Sequence, residues 1–113
     1  MTLLVTGATL PDGTTTDLLV KDGRIAAAGT STTGATVIDG AGLTALPGLV
    51  DLHTHLREPG FEQSETVLTG SRAAAIGGFT AVHAMANTSP DGDTAAVVEQ
   101  VHDLGRRHGY VTV

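Results

Sequence analysis

The 113 residues contain no cysteine. A disulfide framework, a thiolate nucleophile and any Cys-type zinc site are therefore excluded, and a reducing compartment is compatible. Positive charge is scarce: 6 Lys and Arg stand against 12 Asp and Glu, for a net charge of -6, and no basic run occurs. Phosphate binding needs a cationic surplus, so a nucleic-acid partner is not expected. No apolar run approaches the roughly 18 residues of a membrane span. The first basic residue is Lys21, so the start lacks the charged region of a secretory signal. A soluble cytoplasmic protein is the expectation. Neither a G-x-x-x-x-G-K-S/T phosphate loop nor a Ser-centred nucleophile elbow is present.

What is there is small and aliphatic. Hydrophobic residues make up 41% of the chain but aromatic ones only 3%. The core must be built from Val, Leu, Ile and Ala, which suits packed strands and small-residue helix faces. The length fits one ordinary domain.

The pattern changes once along the chain. Residues 1–47 read as short strands, at 3–6, 17–21, 24–28, 37–39 and 43–46. Asp22-Gly23 between the second and third is a hairpin signal, because both turn residues must take positive φ. From Pro47-Gly48 the reading becomes β-α-β-α-β. Leu49, Val50 and Leu52 form a nearly continuous apolar strand, expected where both faces of a parallel sheet are covered. A helix is expected from about Ser64, with Glu65 in its first turn, to Gly77-Gly78. Residues 79–85 give a second buried strand. A second helix follows, capped by Asp93, with Val97, Val101 and Leu104 on one face and Gly109 at its end. Residues 110–113 open a third strand.

Right-handed crossovers would lay these strands parallel in one sheet. The expected fold is α/β: either half of an open sheet or the start of a (β/α)8 barrel. A whole barrel takes about 250 residues, so the chain reads as truncated. Its expected parts are a small β-domain at 1–47 and a barrel start at 48–113. Open strand edges should make the isolated piece poorly soluble.

The sharpest feature is Asp51-Leu52-His53-Thr54-His55, at the end of the first apolar strand. Residues i and i+2 share one face of a strand, roughly 6.6 Å apart. Two imidazoles so placed can converge on one metal ion, and barrel enzymes build their sites at such strand ends. The blander reading has both bonded to backbone carbonyls. Arg57, at the next position of the same parity, could grip a substrate carboxylate with two parallel hydrogen bonds, or could pair on the surface with Glu58 or Glu62. Asn87, just past the second strand, could donate to and accept from an imide or ureido edge. Its neighbours Thr88-Ser89-Pro90 are turn formers, and the residues alone favour a turn role. His83 reads as packed or supporting rather than ligating, and His102 and His108 as solvated.

Taken together, PGLVDLHTHLREPG, the following E-x-x-E-T and GSRAAAIGGFTAVHAMANTSP resemble bacterial dihydroorotases of the amidohydrolase superfamily, and AMANT resembles the actinobacterial branch. The resemblance spans most of the chain. It implies a small sheet domain followed by a metal-dependent hydrolase barrel, and reversible cyclisation of N-carbamoyl-L-aspartate to (S)-dihydroorotate in pyrimidine synthesis. It implies that His53 and His55 bind the more buried of two zinc ions. It also implies that Arg57 and Asn87 hold the substrate carboxylate, with His55 close by. Met85-Ala86-Asn87-Thr88 departs from the family's usual Met-Pro-Asn-Thr, which should loosen that loop. The family's bridging acid, two further histidines and catalytic aspartate come from later strands, so the 113 residues alone are expected to be inactive.

Two other readings remain open. One is a related cyclic amidohydrolase, a dihydropyrimidinase or allantoinase. The other is a non-catalytic homologue that supports an aspartate transcarbamoylase partner. A homodimer is also compatible.

Overall fold

The computed structural model describes residues 1–27 and 29–113. The chain divides into two compact units, Met1–Pro47 and Gly48–Val113.

The first unit is a four-stranded sheet. Its strands are β1 (Thr2–Thr9), β2 (Thr15–Lys21), β3 (Arg24–Ile25) and β4 (Thr36–Asp39), in the spatial order β3-β2-β1-β4. β1 pairs antiparallel with β2 and parallel with β4. Asp22 and Gly23 take φ of 51° and 75°, the left-handed pair that a two-residue hairpin turn requires. Asp17 bonds across the sheet, its Oδ1 accepting from the Gly7 N–H at 2.8 Å. Ala8 and Leu19 are its buried apolar residues.

Two expectations for this unit need correcting. The strand expected at 24–28 runs only over Arg24–Ile25, and Ala28 lies outside the described residues. The strand expected at 43–46 is a single parallel bridge between Thr9 and Thr44. Gly40 and Gly42 bring the chain back to β1 for one pair of hydrogen bonds, Thr9 N–H to Leu43 O and Ala45 N–H to Thr9 O, both 2.9 Å.

The second unit runs β5 (Leu49–Thr54), α1 (Val67–Ile76), β6 (Phe79–Ala84) and α2 (Ala95–His108). β5 and β6 are parallel neighbours, joined through α1 as a βαβ connection requires. Residues 110–113, expected to open a third strand, pair with β6 in parallel through one bridge, Thr112 to Ala81. Leu56, Val67 and Val82 form the buried core, with Ala74, Leu104, Val111 and Val113 packed against it. α1 packs against β6, and α2 against α1.

Leu49, Val50 and Leu52 are 45%, 48% and 69% exposed in these 113 residues, where α1 packs on β6 and α2 on α1. Helix α1 begins later than expected. Thr66 is its N-cap and shares a capping box with Thr69, and its first turn contains no acid. The acid that serves this helix comes from the preceding loop, where Glu58 Oε2 accepts from the Val67 N–H at 2.8 Å. Helix α2 is likewise capped by Thr94, not Asp93, and ends at Gly109 as expected. No helix among the described residues is long and apolar enough to cross a membrane.

Candidate active site

The site lies within the second unit, where two loops leave the carboxyl ends of β5 and β6. His53 is the penultimate residue of β5, and His55 is the first beyond it. Their rings stand 5.0 Å apart between centroids, at 64° to one another. His53 is anchored at its backbone, where its N–H donates to Asp51 Oδ1 at 2.9 Å. Between them, the Thr54 hydroxyl is buried without a hydrogen-bond partner, alone in that respect among the described side chains.

Leu56 fixes the loop that follows. It is 2% exposed and packs in the core beside Val67 and Val82. Its Cδ2 lies so close to Gly70 that a Cβ there would sit 2.6 Å away, so the missing side chain of Gly70 lets α1 approach this leucine. Leu56 therefore pins the backbone between His55 and Arg57.

Arg57 does not continue the strand parity. β5 ends at Thr54, and Arg57 takes φ of 64°, a left-handed backbone unusual for a side chain of this size. Such outliers persist where surrounding structure over-determines them, and they gather at functional sites. Both carboxylates proposed as surface partners are engaged elsewhere. Glu58 caps α1, and Glu62 Oε1 accepts from the Gly60 N–H at 2.8 Å, which holds the Glu62 carboxyl below its ordinary pKa. No ion pair involving Arg57 occurs among the described residues.

The loop after β6 is tied to this one. The Met85 N–H donates to Thr54 O, and the Ser89 N–H to Pro59 O, at 2.9 and 3.0 Å. Gly60, at φ 101°, comes so close to Ser89 that a Cβ would lie 2.4 Å from the Ser89 carbonyl oxygen. Thr88 is buried, its hydroxyl donating to Pro90 O at 2.7 Å, and the Gly92 N–H closes on Ala86 O at 2.8 Å. Four backbone or hydroxyl bonds thus hold this loop. They place Asn87 Oδ1 at 2.8 Å from His55 Nδ1. The residues alone favoured a turn role for Asn87; the structure instead directs its side chain across to the neighbouring strand end.

The other histidines stand apart. His83 is exposed rather than packed, and with His102 of α2 it lines a groove of about 410 Å³ that includes none of His53, His55, Arg57 or Asn87. His108 is exposed at the end of α2. No group of three or more His, Asp or Glu side chains able to hold a metal occurs among the described residues. The imidazole pair is thus a partial ligand set.

A sheet unit followed by an α/β unit with paired imidazoles at a strand end is the opening of the amidohydrolase architecture. An L-hydantoinase (dihydropyrimidinase) from Arthrobacter aurescens superimposes on 90% of this chain and 24% of its own, with a TM-score of 0.76 and 32% identity. The family model described as Dihydro-orotase-like matches residues 42–113, and the chain belongs to that family. A dihydroorotase of Leifsonia xyli is 68% identical over 99% of this chain, and one of Streptomyces coelicolor is 57% identical over 97%. A dihydroorotase of Mycobacterium tuberculosis is 51% identical over 90%. The chain spans about a quarter of the length of these relatives.

Proposed function

We propose that the chain is the amino-terminal part of a zinc-dependent dihydroorotase, which interconverts N-carbamoyl-L-aspartate and (S)-dihydroorotate for pyrimidine synthesis in the cytoplasm. In this reading a sheet domain at 1–47 precedes a (β/α)8 barrel that begins at 48. The observation that carries the reading is Arg57, a half-buried cation two residues past His55 that makes no ion pair among the described residues. An anionic ring substrate supplies what that cation lacks.

His53 and His55 would hold one of two zinc ions. Their residue type suits the metal, and their separation lets both rings turn to a common point. Catalytic zinc usually has three protein ligands, so the remaining donors belong to other segments of the parent enzyme. When bound, zinc supplies Lewis-acid polarisation of the ring amide carbonyl and acidifies water at neutral pH. The chain's own residues bind and orient. Arg57 offers a planar fork to the substrate carboxylate, and Asn87 offers a second donor from the facing loop. Two loops tied at Ser89 and Pro59 keep these groups in one arrangement, which removes orientational freedom before reaction.

A hydantoinase-type activity is the second reading, favoured by the structural neighbour. Hydantoins carry no carboxylate, so Arg57 would have nothing to hold. The association with aspartate transcarbamoylase and the homodimer remain subordinate proposals that no residue described above requires.

The test uses the parent enzyme. His53→Ala is expected to abolish zinc-dependent turnover of dihydroorotate. Arg57→Lys should raise KM by about 10- to 100-fold, the loss of one charge-assisted hydrogen bond. Turnover of a hydantoin in preference to dihydroorotate, with KM indifferent to Arg57→Lys, would overturn the assignment.

A further inference from the structure

Asn87 does something other than wait for a substrate. A turn-forming asparagine bonds its own backbone two residues on. Among the described residues no hydrogen bond joins the Asn87 side chain to local backbone, and its Oδ1 instead meets His55 Nδ1 at 2.8 Å. The loop is clamped on both sides of Asn87, by Met85 to Thr54 and by Ser89 to Pro59, so the contact is imposed by the fold.

Tautomer chemistry gives this contact a direction. A carbonyl-type oxygen only accepts, so Nδ1 must carry the imidazole proton. A neutral imidazole protonated at Nδ1 has its lone pair on Nε2, the atom then free to ligate. Metal-bound histidines are commonly oriented by such an acceptor, which fixes the ring and raises its basicity. The Asn87 amide then has its NH2 unspent, and that group can only donate.

We propose that Asn87 is the positioning residue for His55, holding it as an Nε2 ligand through Oδ1 while its NH2 group faces the substrate carboxylate. One amide thereby links a metal ligand to substrate recognition. This inference rests on the reading of His53 and His55 as metal ligands, and extends it to a residue that touches no metal.

The two roles separate by substitution in the parent enzyme. Asn87→Asp keeps an acceptor for His55 but replaces the donor with a second anionic oxygen. Asn87→Ala removes both. Zinc affinity is read by competition with a chromophoric chelator, and the His55 tautomer by nitrogen chemical shifts in the metal-free protein. Asn87→Ala should weaken zinc binding by about 10- to 100-fold and mix the tautomers. Asn87→Asp should bind zinc at least as tightly as the wild type, while its KM for dihydroorotate rises at least as far as that of Asn87→Ala. Wild-type zinc affinity in Asn87→Ala would overturn the positioning role, as would Asn87→Asp losing zinc to the same degree as Asn87→Ala. If the wild type binds zinc but does not turn over dihydroorotate, the functional assignment fails and the zinc comparison still decides the role of Asn87.

Discussion

The two units of the chain solve their connections differently. In Met1–Pro47 the main junctions are short: Asp22-Gly23 turns β2 into β3, and Asp12 Oδ1 caps the Thr14 N–H two residues away at 2.8 Å. In Gly48–Val113 the decisive contacts join distant positions. His55 meets Asn87 across 32 residues, and Ser71 Oγ accepts from the Tyr110 N–H across 39. The sheet unit adds backbone pairing of β1 with the distant β4 to these local turns, whereas in the second unit side chains as well as backbone close over long sequence intervals. The first unit also leaves no buried side-chain donor without a partner among the described residues, whereas the second leaves one, the Oγ1 of Thr54, the residue between His53 and His55 in sequence. Proteins commonly give up some stability where function is built.

The strongest challenge to this contrast is Leu56→Ala. It removes the side chain that pins the backbone between His55 and Arg57, and should cost about 3 kcal/mol. Thermal unfolding of the parent enzyme, paired with metal content, reads both consequences. Leu19→Ala, in the sheet unit, should lower the unfolding temperature while leaving metal content intact. If Leu56→Ala retains its metal, the leucine fills space without positioning the site.

A smaller effect of opposite sign is expected from Thr54→Val. An unpaired buried hydroxyl is unfavourable, so its replacement by a methyl should add about 1 kcal/mol. A shift of the denaturation midpoint to lower denaturant would show that the hydroxyl has a partner in the assembled enzyme.

The smallest expected effect concerns pH. Backbone N–H donors hold Asp12 and Glu62 below their ordinary pKa values, through Thr14 and Gly60 respectively. For a carboxylate with a depressed folded pKa, the stabilisation exists above the unfolded value and disappears as pH falls through the folded one. Both groups are exposed, so global stability should barely change, and amide chemical shifts are the proper readout. Protonation of Asp12 should move Thr14 without a distant partner, whereas protonation of Glu62 should move Gly60 together with Ser89. A stationary Ser89 resonance would show that the two loops are not mechanically joined.

What could be read in the sequence follows the same division. The Asp-Gly turn, the helix ends at Gly77 and Gly109, and the proximity of His53 and His55 all depend on neighbours in the chain. Glu65 is a good dipole partner and draws the expected start of α1 forward, yet Thr66 with Thr69 makes the stronger reciprocal cap. Arg57 was assigned by strand parity, which lapses once the backbone turns left-handed. The role of Asn87 was out of reach, since it depends on the β5–β6 register and on the tie between Ser89 and Pro59. Only a pairing of two strand ends brings that amide to His55.

The 32-residue interval between His55 and Asn87 also sets an order of events during synthesis. The histidine pair leaves the ribosome well before its amide partner, and parallel pairing must wait for the α1 crossover to form. Until β6 docks, His55 is free to exchange its proton between both ring nitrogens. A metal ion that arrives early would meet a flexible HxH segment, and one that arrives late would meet an oriented ligand. If the pair holds zinc as proposed, the spacing of the two loops along the chain decides when an oriented ligand becomes available.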